Sequence, residues 1–318
     1  MQKIKIISAT ALLFLTATYT LKKITSPTET PAEIIDFVND SAKVSLMANS
    51  VPIPIHLTFA GESVPLENFD VRERLERELL VNTYWHSNTM LLIKRANRFL
   101  PRISKILQQN GLPDDLKYIP LIESSLTNSI SPANAAGFWQ FLEETGKEYG
   151  LEINTNVDER FHVEKATQAA CLYFKWLYGK FGSWTLAATA YNGGPKALIR
   201  FMDTQKNNNF YNLLLAEETE RYIFRILSMK IIMNDPERYG FKLEENDLYP
   251  AIKTQPIEIK TSINDLAQWS LDRGFSYREL KFFNPWLRTN QLPVKNNQTY
   301  NIEIPDRSYR TQYQHLIY

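Results

Sequence analysis

The sequence predicts a mainly α fold, an α-helical domain followed by a small α+β module. Three observations predict it. Apolar residues recur at helical spacing from Val71 onward, and no convincing alternating strand stands before Ile257. After Pro256 the order of signals changes to strand, helix, helix, strand.

The chain begins with a basic stretch, Met1 to Lys5, then 16 uncharged residues from Ile6 to Leu21, then Lys22-Lys23. This is a secretory signal pattern, and its apolar run is short for a full membrane span. Ala17-Thr18-Tyr19 matches a small-residue cleavage site only loosely, and no cysteine follows to take a lipid. Residues 1–23 therefore read as a signal peptide or an uncleaved N-terminal anchor. Either predicts an exported, periplasmic protein, soluble or attached to the membrane through that segment.

Residues 24–70 are rich in Pro, Thr, Ser and Asn and read as a linker, partly ordered where Val51 to Phe59 can run extended. The helical domain is expected over 71–249. Leu75, Leu79 and Leu80, then Leu91 to Leu107, keep helical spacing. Pro101 falls inside that pattern and should kink or divide it. Gly111 is a terminator, and Pro113 opens the next helix. Further helices are expected at Val163–Gly179, Trp184–Tyr191, Pro195–Phe201 and Glu217–Met233. The module is expected over 250–318, with strands at Pro256–Lys260 and Thr299–Ile304. Capping boxes at Ser262-x-x-Asp265 and Ser276-x-x-Glu279 start its two helices.

The charge balance is +1, from 36 basic and 35 acidic residues, so no global field advertises a nucleic-acid partner. Four scattered histidines lack ligand spacing, so neither a metal nor a cofactor is expected. The single cysteine, Cys171, stands in an apolar helical context and reads as a small buried residue.

One position breaks the apolar grammar. Glu123 closes a run containing Tyr118, Ile119, Leu121 and Ile122. Burial beside apolar groups disfavours the charged carboxylate and raises its pKa. A glutamic acid kept protonated near neutrality is the proton donor that glycosidic bond cleavage requires. The competing reading is a structural acid at a helix end. Two more blocks follow in order, Gly137-Phe138-Trp139-Gln140 and Ala190-Tyr191-Asn192-Gly193-Gly194. With Glu123-Ser124 they resemble the lytic murein transglycosylases of the Slt type, and among these the membrane-bound transglycosylase D subgroup.

That resemblance implies a lysozyme-like helical catalytic domain acting on peptidoglycan glycan strands and leaving 1,6-anhydro-N-acetylmuramic ends. It implies Glu123 as the single general acid and base, with Ser124 helping to hold its surroundings. Ser131 matches a serine that contacts substrate, although the loop before it is one residue shorter than the family's common pattern. Gln140, Tyr191 and Asn192 are implied to line the cleft. Trp139 replaces a methionine of other subgroups and offers a wider apolar wall, whereas Phe138 reads better as core. Glu218 and Tyr222, four apart on one helix face, match an acid and a tyrosine of the substrate groove. Glu220 stands where the family carries an arginine. The tail resembles a LysM module whose usual Gly-Asp-Thr-Leu is replaced by Thr261-Ser262-Ile263-Asn264. Bracing the catalytic domain and binding glycan are both open to it.

No second catalytic carboxylate is evident, since Glu143 and Glu144 read as a solvated helix start. Two rival readings stand: a peptidoglycan-binding scaffold with a weak active site, and a hydrolytic muramidase that uses water.

Overall fold

The computed structural model describes residues 49–306 and 308. The expected signal or anchor over 1–23 and the first part of the expected linker lie outside the described residues. Among the described residues, no helix is long and apolar enough to cross a membrane.

The helical pattern condenses into α1 (Phe69–Tyr84) and α2 (His86–Gln109), whose Leu75, Leu79, Leu92, Ala96, Ile103 and Leu107 all point into the core. Of the two outcomes expected at Pro101, division of the helix does not occur, and α2 runs through it. Its missing N–H removes one bond of the helical ladder, but apolar residues on both sides, from Leu92 to Leu107, remain packed on one core. Asn110 ends the helix and Gly111 turns the chain with φ of 69°. Pro113 then precedes a 3-10 turn, Asp114–Tyr118, which runs directly into the short helix α3 (Ile119–Ser124).

Beyond a loop come α4 (Glu143–Glu148), α5 (Val163–Phe181), α6 (Trp184–Gly193), α7 (Pro195–Gln205) and α8 (Glu217–Asn234). The alanine-rich α6 is buried over Thr185–Ala190, which lets it run through the centre beside α5 and α8. Cys171 is buried in α5, and burial pushes its thiol up to about 11.

The stretch before α1 is less of a linker than its composition suggests. Val51, Phe59, Val64 and Leu66 belong to the core. Thr58–Phe59 (β1) and Glu62–Ser63 (β2) form a hairpin around Ala60-Gly61, both at positive φ. Tight hairpin turns require that conformation, which glycine adopts freely. Two residues per strand are too few to show alternation in a sequence.

The tail forms strand β3 (Thr254–Ile259), helices α9 (Leu266–Leu271) and α10 (Tyr277–Phe283), and strand β4 (Tyr300–Pro305). The strands pair antiparallel with Ile257 opposite Ile302. Ser276 and Glu279 close the expected capping box at α10. The other box is not formed. Asp265 itself caps α9, accepting from the backbone N–H of Ala267 and Gln268, while Ser262 accepts from Val294 N–H.

The tail's core, with Leu266, Leu280, Trp286, Leu287 and Ile302, also takes in Ala136, Val157 and Phe161 from the helical part. Asp158 N–H donates to the Trp286 carbonyl at 2.9 Å and Arg288 N–H to that of Asn156 at 2.8 Å. Tyr300 Oη lies 2.9 Å from Glu152 Oε1. These contacts make the tail a brace. Removal of residues 250–318 uncovers Val157 and Phe161, a loss of about 2–4 kcal/mol. The truncated protein should stay helical and soluble with its melting temperature lowered by about 5–10 °C. Calorimetry showing an unchanged transition would refute the bracing.

Candidate active site

Glu123 is the penultimate residue of α3, where Ile119, Pro120 and Leu121 face the core. The helix is ended at once by Ser125 and Leu126, both left-handed at φ of 54° and 53°. This sharp stop leaves Glu123 half-buried and turned toward α8. There Tyr222 donates its hydroxyl proton to Glu123 Oε1 at 2.6 Å.

Burial dominates the electrostatics and pushes the Glu123 carboxyl above its ordinary value. The Tyr222 hydrogen bond and the Arg225 charge pull it back, while Glu218 pushes it further up. Glu218, Tyr222 and Arg225 thus form one face of α8 at helical spacing directed to a single carboxyl. Arg225 escaped the sequence reading, although its place one turn after Tyr222 could have revealed it.

Glu218 is exposed in the first turn of α8 and borders an open hollow with Glu217, Arg221 and Arg225. The helix is fixed from behind. Arg221 donates to the buried Glu78 at 2.7 Å, and Glu220 pairs with Arg74 of α1 at 3.2 Å. Glu220 therefore satisfies a cation on a neighbouring helix and is absent from that hollow.

Ser124 turns away from Glu123. Its hydroxyl lies 3.0 Å from the carbonyls of both Pro120 and Phe138, tying α3 to the loop that carries the second motif. Gly137 in that loop has φ of 76°, and a Cβ there would sit 1.8 Å from the Arg160 carbonyl. Only glycine fits so close an approach. Gln140 donates its side-chain amide to the Gly137 carbonyl at 2.7 Å and spans to Ser129. Ser131 Oγ accepts from Ala135 N–H at 3.1 Å, which closes the loop on itself.

Arg160 completes the loop's support. Its guanidinium reaches the carbonyls of Asn134 and Phe141 and pairs with Asp158 at 2.7 Å. Trp139 is fully buried, donates to Thr167 Oγ1 at 2.9 Å, and forms no wall of a cleft. A large ring with one N–H is stable inside a core once that donor is paired. Phe138 is core as expected, edge-on to Phe99.

Tyr191 reaches the same place from α6. Its hydroxyl donates to the Trp139 carbonyl and its ring stacks on Phe174 at 4.8 Å. Asn192 follows, half-buried in the last turn of α6. A Cβ on Gly193 would meet the Thr219 side chain at 2.9 Å, so α6 and α8 converge tightly beside Tyr191. At its other end α6 is anchored by Glu62. This carboxylate accepts from the N–H groups of Trp184 and Thr185 and from the hydroxyls of Ser183 and Thr185. An anion is favourable at a helix N-terminus. No local signal marks Glu62, because its partners lie more than a hundred residues onward.

The helical scaffold thus assembles one carboxyl of raised pKa with two tyrosines and an arginine around it. Residues 102–214 match the family described as Transglycosylase SLT domain, and residues 255–308 the Soluble lytic transglycosylase C-terminal LysM-like domain. The chain therefore carries a lysozyme-like SLT domain followed by a small LysM-like module. It is homologous to membrane-bound lytic murein transglycosylase D, being 30% identical over 253 residues to that protein in Escherichia coli strain K12. The counterpart from Escherichia coli O6:H1 matches equally, and each alignment covers 76% of this chain and 54% of the relative. The chain spans about half the length of the curated relatives it matches. A solved structure of an inactive mutant of lytic transglycosylase Slt from Pseudomonas aeruginosa shares 18% identity. It covers 49% of this chain and 26% of that one at a TM-score of 0.35, too low an overlap to support any structural comparison.

The electrostatics of Glu123 can be tested without substrate. Carboxyl-carbon NMR should place its titration above the ordinary 4.5. Tyr222→Phe removes a bond that favours the carboxylate and should move the titration further up, whereas Glu218→Gln should move it down. Titration at the ordinary value, or shifts of the opposite sign, would show that the carboxyl is not poised in this way.

Proposed function

We propose that the protein is a lytic transglycosylase that cleaves the β-1,4 bond between N-acetylmuramic acid and N-acetylglucosamine in peptidoglycan. The observation that carries this reading is Glu123: half-buried, raised in pKa, and held by a tyrosine hydroxyl at 2.6 Å. Its family and its homology to membrane-bound lytic murein transglycosylase D support the same reading.

In this mechanism Glu123 donates its proton to the leaving oxygen of N-acetylglucosamine as the bond to the muramic anomeric carbon breaks. The 2-acetamido group steadies the oxocarbenium-like centre. Glu123, now a carboxylate, takes the proton of the C6 hydroxyl, whose oxygen attacks the anomeric carbon and closes the anhydro ring. No nucleophilic carboxylate is needed. Tyr222 favours the carboxylate stage by donating to it, and burial favours the acid stage. Tyr191, Asn192, Gln140, Ser131 and Glu218 are assigned to the groove around the strand, and Ser124 to holding α3 against the loop. Residues 71–249 act as the catalytic domain and 250–318 as a bracing module. Export to the cell envelope follows from the N-terminal signal pattern.

Glu123→Gln keeps volume and shape but donates no acidic proton, so activity on sacculi should fall at least about a hundredfold with unchanged melting. Near-normal turnover would remove Glu123 from its role. The product decides the acceptor: muropeptide mass spectrometry should find ends lighter by one water and resistant to borohydride. Predominantly reducible ends would make the enzyme a hydrolytic muramidase, and no cleavage at all would favour the scaffold.

A further inference from the structure

A row of aromatic rings leads from Tyr191 out to the protein surface. The Tyr173 ring on α5 lies 5.5 Å from that of Tyr191, 4.8 Å from Tyr149 and 6.0 Å from Trp176. Its plane is inclined by 32° to Tyr149 and by 27° to Trp176, so each neighbour meets it closer to face-on than edge-on. Phe99, by contrast, meets Phe138 edge-on at 85° in the core.

Exposure increases along the row. Tyr191, Tyr173 and Tyr149 are half-buried, and Trp176 is 47% exposed. Leu172, one turn before Trp176 on the same helix, is exposed as well. A tryptophan placed to fill a core would be buried and paired, as Trp139 is in this same chain. Trp176 instead keeps much of its ring in water, beside the Tyr173 ring at 6.0 Å and the Lys180 ammonium at 5.4 Å. Burial pushes the hydroxyls of Tyr149 and Tyr173 above the ordinary phenol value, that of Tyr173 to about 12 with Tyr149 and Glu148 adding to it, and both are neutral. They remain available at the rim as neutral donors and acceptors.

A ligand for such a surface has a flat apolar face and an uncharged polar edge. An N-acetylated pyranose has both: its axial C–H groups lie against a ring while its hydroxyl and acetamido groups reach the phenols. A nucleic acid would need a cationic field, which a net charge of +1 does not provide. We propose that Tyr149, Tyr173 and Trp176 form an accessory subsite that stacks N-acetylhexosamine rings of a glycan strand away from the scissile bond, continuous with Tyr191. This inference rests on the transglycosylase reading above. It adds a determinant of strand length: long strands engage the subsite and short ones do not reach it.

The test separates the two readings. Trp176 is exposed, so Trp176→Ala should fold with melting within about 2 °C of the parent. On long purified glycan strands its KM should rise about tenfold, ~1.4 kcal/mol, the scale of losing a binding anchor, while kcat changes little. Trp176→Phe keeps a ring and should recover most of the loss. Calorimetric titration of Glu123→Gln with N-acetylchitohexaose should show the same loss on adding Trp176→Ala. If the parent cleaves strands but Trp176→Ala and Tyr149→Ala leave KM unchanged, the subsite does not exist. Failure of Trp176→Phe to restore KM would equally exclude stacking. If the parent neither binds nor cleaves glycan, the transglycosylase reading falls first and the subsite falls with it.

Discussion

The site depends on one constraint, the need to keep a single carboxyl group partly out of water without leaving it unpaired. Burial of an acid raises its pKa, and a buried polar group without a hydrogen bond is costly. The hydroxyl of Tyr222 meets both conditions, because it pairs with Glu123 without neutralising it. That bond requires α3 to stop immediately after the acid and α8 to lie beside it. Much of the surrounding architecture consists of anchors for those two helices and for α6.

Each anchor is a polar group committed to a distant partner. Glu78 grips Arg221 and so holds the back of α8. Ser124 ties α3 to the Phe138 carbonyl, and Tyr191 ties α6 to that of Trp139. Glu62 sits on the N-terminus of α6. The loop between Ser129 and Phe141 receives α3 and α6 together, and Arg160 holds it from beneath through two carbonyls. Buried pairs such as Asp158–Arg160 are weak evidence for stability, but breaking one leaves an uncompensated charge. They fix geometry more than they add free energy.

The tail enters this network at the same loop. Asp158, partner of Arg160, donates its own N–H to the Trp286 carbonyl, and Phe161 is shared between the helical part and the tail's core. Contacts with the tail are therefore only a few bonds from the residues around Glu123. A LysM-like module placed this way supports the helical scaffold around Glu123.

The sequence alone determined the helical class and most of the helices, and it singled out Glu123 as an acid out of place in an apolar run. Those rest on period, on caps such as Ser276 and Glu279, and on Glu123 breaking an apolar run. It could not show that Pro101 is tolerated within α2, that Phe59 belongs to the core, or that Trp139 is a packing residue. Nor could it reveal Glu62, Arg160 or the row from Tyr191 to Trp176. Periodicity and capping act over a few residues and leave a local trace. Core membership, carboxylate partners and ring stacking join residues far apart in the chain, so only the tertiary packing decides them.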